Sequence, residues 1–100
     1  MKILVKERNE LNEIIESYIE KHKKDLTPEG ICSEKSIRET ESSRYDLIAG
    51  KELDVEKVEY DGNLIIDGYN YDYRWHSNEK LKDGTPCVYP IYPDEIVKEI

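Results

Sequence analysis

Phenylalanine is absent from this chain, so its aromatic bulk falls to eight tyrosines and one tryptophan. A tyrosine ring carries a hydroxyl that needs water or a partner, which favours half-buried positions over the deep interior. Cysteine is scarce too. Cys32 and Cys87 are too few for a disulfide framework, and without a secretory signal they are expected to be reduced thiols. No apolar run approaches the length of a membrane span, and the opening MKILVKERNE meets charge too soon to hold a signal-peptide core. A cytoplasmic protein without membrane association is the expectation.

Positive charge is the next shortage: 15 basic side chains face 23 acidic ones, for a net charge of -8. The deficit is uneven, since residues 51–100 hold 6 basic and 12 acidic groups while residues 1–50 hold 9 and 11. A surface of that sign repels a phosphate backbone, so direct nucleic-acid binding is not expected and a basic protein surface is the better-matched partner. Also missing are a phosphate-cradling glycine loop, a serine elbow and a dinucleotide fingerprint. Cys32, Cys87, His22 and His76 stand singly, not in the close pairs that zinc sites use. No catalytic residue, metal or cofactor is assigned, and the chain is not expected to be an enzyme.

What is present is enough for a core. Twelve Ile, seven Leu and five Val, with the aromatics, exceed what a charged chain needs to leave the disordered class. One hundred residues suit a single domain with one modest core. From Asn9 to about Asp25, Leu11, Ile14, Ile15, Tyr18 and Ile19 recur at three- and four-residue spacing, which predicts an amphipathic helix ending before Pro28. Lys2 to Val5 reads as a short strand before it. Residues 27–46 sustain no period and read as a long polar connection or a weak edge strand.

After Gly50 the texture changes to short apolar runs punctuated by Asp61-Gly62, Asp67-Gly68 and Asp83-Gly84. Asp-Gly suits two-residue hairpin turns, because both central positions take positive φ. An antiparallel meander over residues 47–92 follows, with strands near Glu52–Tyr60, Asn63–Ile66, Tyr69–His76 and Pro86–Tyr92, and a bulge near Glu56-Lys57 where the apolar parity switches. PDEIVKEI, residues 93–100, opens with proline and two acids and predicts a short closing helix. The sum is an α+β domain: an N-terminal amphipathic helix, residues 1–26, packed on a mostly antiparallel, hairpin-built sheet of about four or five strands, or on a partly open small barrel.

The stretch GYNYDYRWH places Tyr69, Tyr71, Tyr73 and Trp75 on alternate positions, with Asp72, Arg74 and His76 pointing the other way in a strand. That ring row either packs under the helix as core or leaves some of its rings exposed as an anchor for a partner. YNYDYRW followed by Tyr89–Pro93 resembles the tyrosine-rich groove of the Src-homology peptide-binding barrels. The paired tryptophan of that groove is absent and the order fails, so only a general hairpin-built barrel carries over. Pro90 and Pro93 mark an edge strand that cannot donate to a ladder at those positions.

In size, acidity and Lys/Ile/Glu-rich composition the chain resembles acidic immunity proteins, antitoxins and phage-encoded inhibitors of bacterial defence, a likeness of type. It implies a small protein-binding module that occludes a basic partner surface such as the nucleic-acid groove of a nuclease. Asp54, Glu56, Glu59, Asp61, Tyr71, Asp72, Tyr73, Arg74 and Trp75 are the expected contact residues. A second reading has the aromatic strand with Arg44 or Arg74 holding a small planar ligand such as a nucleotide signal. A third makes the chain a structural or interaction subunit, dimerising through its sheet.

Overall fold

The computed structural model describes all residues from Met1 to Ile100. The chain divides into two compact units, one built from Met1–Val5 with Lys51–Ile100 and one from Lys6–Gly50. The first holds a five-stranded antiparallel sheet and the second a pair of helices, so the α+β class is observed.

In the helical unit, α1 spans Arg8–Lys21 and buries Leu11, Ile15 and Ile19, the i, i+4, i+8 face that the sequence spacing predicts. A 3-10 turn at Lys23–Asp25 ends the helical run before Pro28. The expected irregular connection over 27–46 is corrected here: from Glu34 to Ile48 the chain forms a second helix, α2. Its start is fixed by Ser33, whose hydroxyl accepts from the Ser36 N–H at 3.2 Å and donates to the Gly30 carbonyl at 2.7 Å. Tyr45 and Ile48 are buried on α2, and so is Arg44, whose guanidinium binds Glu41 one turn back and lies 5.2 Å from the centre of the Tyr45 ring.

The two helices run antiparallel. Arg8 at the start of α1 reaches Asp46 and, at 2.6 Å, Ser42 near the end of α2. Arg38 on α2 grips Glu16 in mid-α1 through two N–H groups and also holds Glu34 at 2.8 Å. The Arg38 hydrogen bond keeps the Glu16 carboxyl below its ordinary pKa.

The sheet order is β4-β3-β2-β1-β5, with β1 at Lys2–Val5, β2 at Glu52–Glu59, β3 at Tyr71–Lys80, β4 at Pro86–Ile91 and β5 at Ile96–Glu99. It is an open sheet and not a barrel. Paired residues share a side, so the registers Ile3↔Leu53, Val55↔Trp75, Lys57↔Tyr73 and Tyr73↔Ile91 define one face. Ile3, Val5, Leu53, Val55, Tyr73 and Ile91 are buried on it.

Three further expectations are corrected. Asn63–Ile66 is not a strand: it belongs to the β2–β3 connection, where only Ile66 makes a bridge, to Tyr69. The β2–β3 register runs from Val55 to Glu59 without a shift, so no bulge lies at Glu56-Lys57. Val58 simply faces the other side, half-buried opposite Asp72. The closing helix is replaced by a single 3-10 turn, Pro93–Glu95, and the edge strand β5 paired with β1. Ile96 and Val97 are β-branched, and a ladder partner outweighs a helix too short to nucleate by itself.

The Asp-Gly pairs all lie in turns, each of a different kind. Asp67 and Gly68, at φ 51° and 84°, form the two-residue hairpin turn, with reciprocal bonds between Ile66 and Tyr69 of 3.1 and 2.9 Å. At the β3–β4 turn, Gly84 at φ 88° follows a turn closed by its own N–H on the Leu81 carbonyl, 2.9 Å, which is the bulge-type hairpin. Asp61 instead caps its turn with a side chain that accepts from the Asn63 N–H at 2.9 Å.

Candidate functional site

Alternation along β2 and β3 sends the expected contact residues to two sides of the sheet. Asp54, Glu56, Asp72 and Arg74 share one face, as the pair Glu56↔Arg74 requires, while Glu59, Tyr71, Tyr73 and Trp75 lie on the other. Asp61 is in the β2–β3 connection.

On the first face Glu52, Asp54 and Glu56 form an exposed acidic column along β2, two residues apart. Lys2 on β1 opposes Asp54, and Arg74 and His76 stand beside the column on β3. The imidazole Nε2 of His76 lies 3.4 Å from Glu56 Oε2. Asp54 accepts from the Met1 amine at 3.1 Å. Asp72 differs from its neighbours in being 8% exposed. Its Oδ1 lies 4.0 Å from Arg74 Nε without a hydrogen bond, a geometry in which the cation offsets part of the desolvation of a buried carboxylate. Burial and a hydrogen bond with Asp72 raise the pKa of the Tyr60 hydroxyl on the same side.

On the second face the aromatic row is graded. Tyr73 is 6% exposed, whereas Tyr71 and Trp75 are half-buried. Tyr71 meets Tyr73 edge to face at 5.6 Å, and Trp75 lies 5.7 Å from Tyr89 of β4. Lys57 places its ammonium 4.2 Å from the Tyr71 ring centre and 3.6 Å from Glu59. The cation is therefore occupied on its own strand pair. The Tyr89 hydroxyl donates to Glu79 at 2.9 Å, and that bond with burial pushes its pKa up to about 12. Tyr69 precedes β3; burial and the carboxylate of Asp94 push it likewise to about 12.

Sequence reasoning left Glu52 out of the contact set, and considered His76 as a rim contact and the strip holding Tyr89 as a continuation of the ring platform without placing either in that set. Glu52 was available from parity, two residues before Asp54, and Tyr89 from its place beside Pro90 in the edge strand. The side of His76 followed from strand alternation, and its place beside Glu56 needed the β2–β3 register. Arg44 is buried in the helical unit with its guanidinium on Glu41 and Tyr45. Cys32 is an exposed free thiol and Cys87 a half-buried one. No group of three or more His, Cys, Asp or Glu is placed to hold a metal ion, and no helix is long and apolar enough to cross a membrane.

The arrangement sets an exposed acidic column on one face and partly exposed rings on the other. Of the tyrosines whose pKa is raised, Tyr60, Tyr69 and Tyr89 bond the carboxylates of Asp72, Asp94 and Glu79, and Tyr73 is raised by burial beside Tyr71. No family model, curated protein or solved structure matches the chain.

Proposed function

We propose that the sheet unit is a small acidic protein-binding module that acts by occluding a basic surface of a protein partner. The observation that carries this reading is the charge of β2 and the connection after it. From Glu52 to Asp72 seven carboxylates, those of Glu52, Asp54, Glu56, Glu59, Asp61, Asp67 and Asp72, stand against the one cation Lys57. Six of the seven are exposed, and Lys57 is held over Tyr71 beside Glu59.

Glu52, Asp54 and Glu56 are held on one face of β2 and Asp61 and Asp67 in the connection after it, so this end of the sheet unit presents a negative field to an approaching molecule. Such a field steers a basic partner and raises the association rate by about 10-fold or more at low salt. The half-exposed rings of Tyr71, Trp75 and Tyr89 add contact area of the kind that anchors interfaces once water is expelled. A nucleic-acid groove of a nuclease is the type of surface that such a module would cover.

The experiment is affinity capture from the source cells, followed by titration of the purified pair across ionic strength. Binding should weaken steadily as salt rises, and the charge reversals Asp54→Lys and Glu56→Lys should slow association and flatten that dependence. An affinity indifferent to both salt and charge reversal would remove the reading.

A further inference from the structure

The connection between β2 and β3 is long but closely tied. At its base the Tyr60 N–H donates to the Asn70 carbonyl at 2.8 Å, and at its tip Ile66 and Tyr69 exchange two backbone bonds. Between these the Leu64 N–H donates to the Asp61 carbonyl at 3.0 Å, and the Tyr69 hydroxyl turns to Asp94. Nothing in this framework calls for apolar side chains. Yet the segment carries Leu64, Ile65 and Ile66 in succession, exposed by 49%, 59% and 40%. Polar residues would make the same turns without leaving three aliphatic side chains in water.

The flanks specify what covers them. Asp61 and Asp67 bracket the three aliphatics, and between Lys57 and Arg74 there is no lysine or arginine at all. An anionic bilayer repels a loop of that sign, and two copies of the loop would bring like charges together. A protein cleft with an apolar floor and a lysine- or arginine-bearing rim satisfies both the side chains and the flanks.

We infer that the loop Asp61–Tyr69 is the anchor of this protein, inserting Leu64, Ile65 and Ile66 into an apolar, basic-rimmed cleft of its protein partner. The inference rests on the acidic-docking reading and adds to it the desolvated contact that charge steering alone lacks. Burial of one such side chain is worth about tenfold or more in affinity. Ile65, the most exposed of the three, is the position at which a change tests binding without disturbing the loop's hydrogen bonds.

The test begins with a photo-crosslinking residue placed at position 65, and separately at position 54, in the full chain inside the source cells. The captured protein is then purified and titrated with the wild type, Ile65→Asp, Ile65→Ser and Asp54→Lys, each verified by unchanged thermal unfolding. The expected result is one basic protein joined at both positions, weakened tenfold or more by Ile65→Asp and by Ile65→Ser with the salt dependence intact. An affinity within twofold of wild type for both Ile65 variants, with salt dependence and the Asp54→Lys loss retained, overturns the anchor and leaves the docking reading standing. Adducts with a second copy of the chain, or co-sedimentation with phosphatidylglycerol vesicles that Ile65→Asp abolishes, overturn it in favour of another occupant. No adduct from either position removes both the anchor and the docking reading.

Discussion

Replacing Ser33 by alanine should loosen α2 from its first turn. The Ser33 side chain is buried and has two bonds, one accepted from the Ser36 N–H at 3.2 Å and one donated to the Gly30 carbonyl at 2.7 Å. The Gly30 carbonyl keeps a second donor, the Ser33 N–H at 3.1 Å, so its loss is partial. The Ser36 N–H has no such substitute and becomes one of the unsatisfied donors of a helix start. Loss of a serine cap costs about 1 kcal/mol, within a range of roughly 0.5–2. For a chain of this size that corresponds to a fall in Tm of about 4–8 °C per kcal/mol. Ser33→Asp separates the two bonds, because a carboxylate accepts from Ser36 and favours the helix N-terminus but cannot donate to Gly30. It should therefore recover most of the loss. Thermal unfolding followed by far-ultraviolet circular dichroism gives the stability, and amide exchange at Ser36 and Ile37 locates it. If Ser33→Ala left both Tm and the protection of those amides unchanged, the capped helix over Glu34–Ile48 would not be what holds this segment.

Ionisation of the tyrosines offers a second check. Tyr69 and Tyr89 are pushed up to about 12, so folding favours their neutral forms. That contribution is fully present below the ordinary tyrosine value near pH 10 and is lost as pH rises to about 12. Phenolate absorbance should show a late-titrating group that shrinks in Tyr69→Phe and again in Tyr89→Phe; a single transition of all eight rings near pH 10 would contradict the carboxylate pairings. Core and surface isoleucines should also part company in urea: Ile91, fully buried, should cost about 2–5 kcal/mol as alanine, whereas Ile31, 88% exposed, should change stability by less than about 0.5. Equal effects at the two positions would contradict the sheet register Tyr73↔Ile91.

Helix α1 was legible because its inner face is aliphatic throughout, Leu11, Ile15 and Ile19. Helix α2 was not, although its inner positions keep helical spacing. Ile37, Glu41, Arg44, Tyr45 and Ile48 follow one another along that stripe, and two of the five are a charged pair that a hydropathy pattern counts as surface. The buried Arg44 is acceptable only because Glu41 and the Tyr45 ring receive its guanidinium, a compensation that no single position announces. The available signal was Ser33 followed by Glu34, a cap and a first-turn acid. In the second half a strand with Tyr71, Tyr73 and Trp75 on one face was legible, but it runs Tyr71–Lys80 and not Tyr69–His76, Tyr69 belonging to the hairpin turn before it, while Asn63–Ile66 misled through β-branched content that in fact serves a loop. The contact set was chosen by proximity in sequence and so mixed the two sheet faces, which the register Glu56↔Arg74 separates.

The order of elements along the chain imposes a folding problem that the helical unit itself can solve. Strands β1 and β2 are neighbours in the sheet, yet all of residues 6–50 lie between them. If that segment were flexible, closing it would cost roughly 3 kcal/mol of chain entropy before the first β1–β2 pair formed. Formed as a helical hairpin, it already holds its two ends together: the Gly50 N–H donates to the Lys6 carbonyl at 2.9 Å. The next step outward is the bond from the Val5 N–H to the Lys51 carbonyl at 3.0 Å, which starts the ladder in the register Leu4↔Glu52. Register in turn decides the face on which every side chain of β2 emerges, since a slip of one residue would turn Asp54 and Glu56 inward and Leu53 and Val55 out. The face on which the acidic column emerges is thus set where the β1–β2 ladder begins, at the Val5–Lys51 bond and the Leu4↔Glu52 pair.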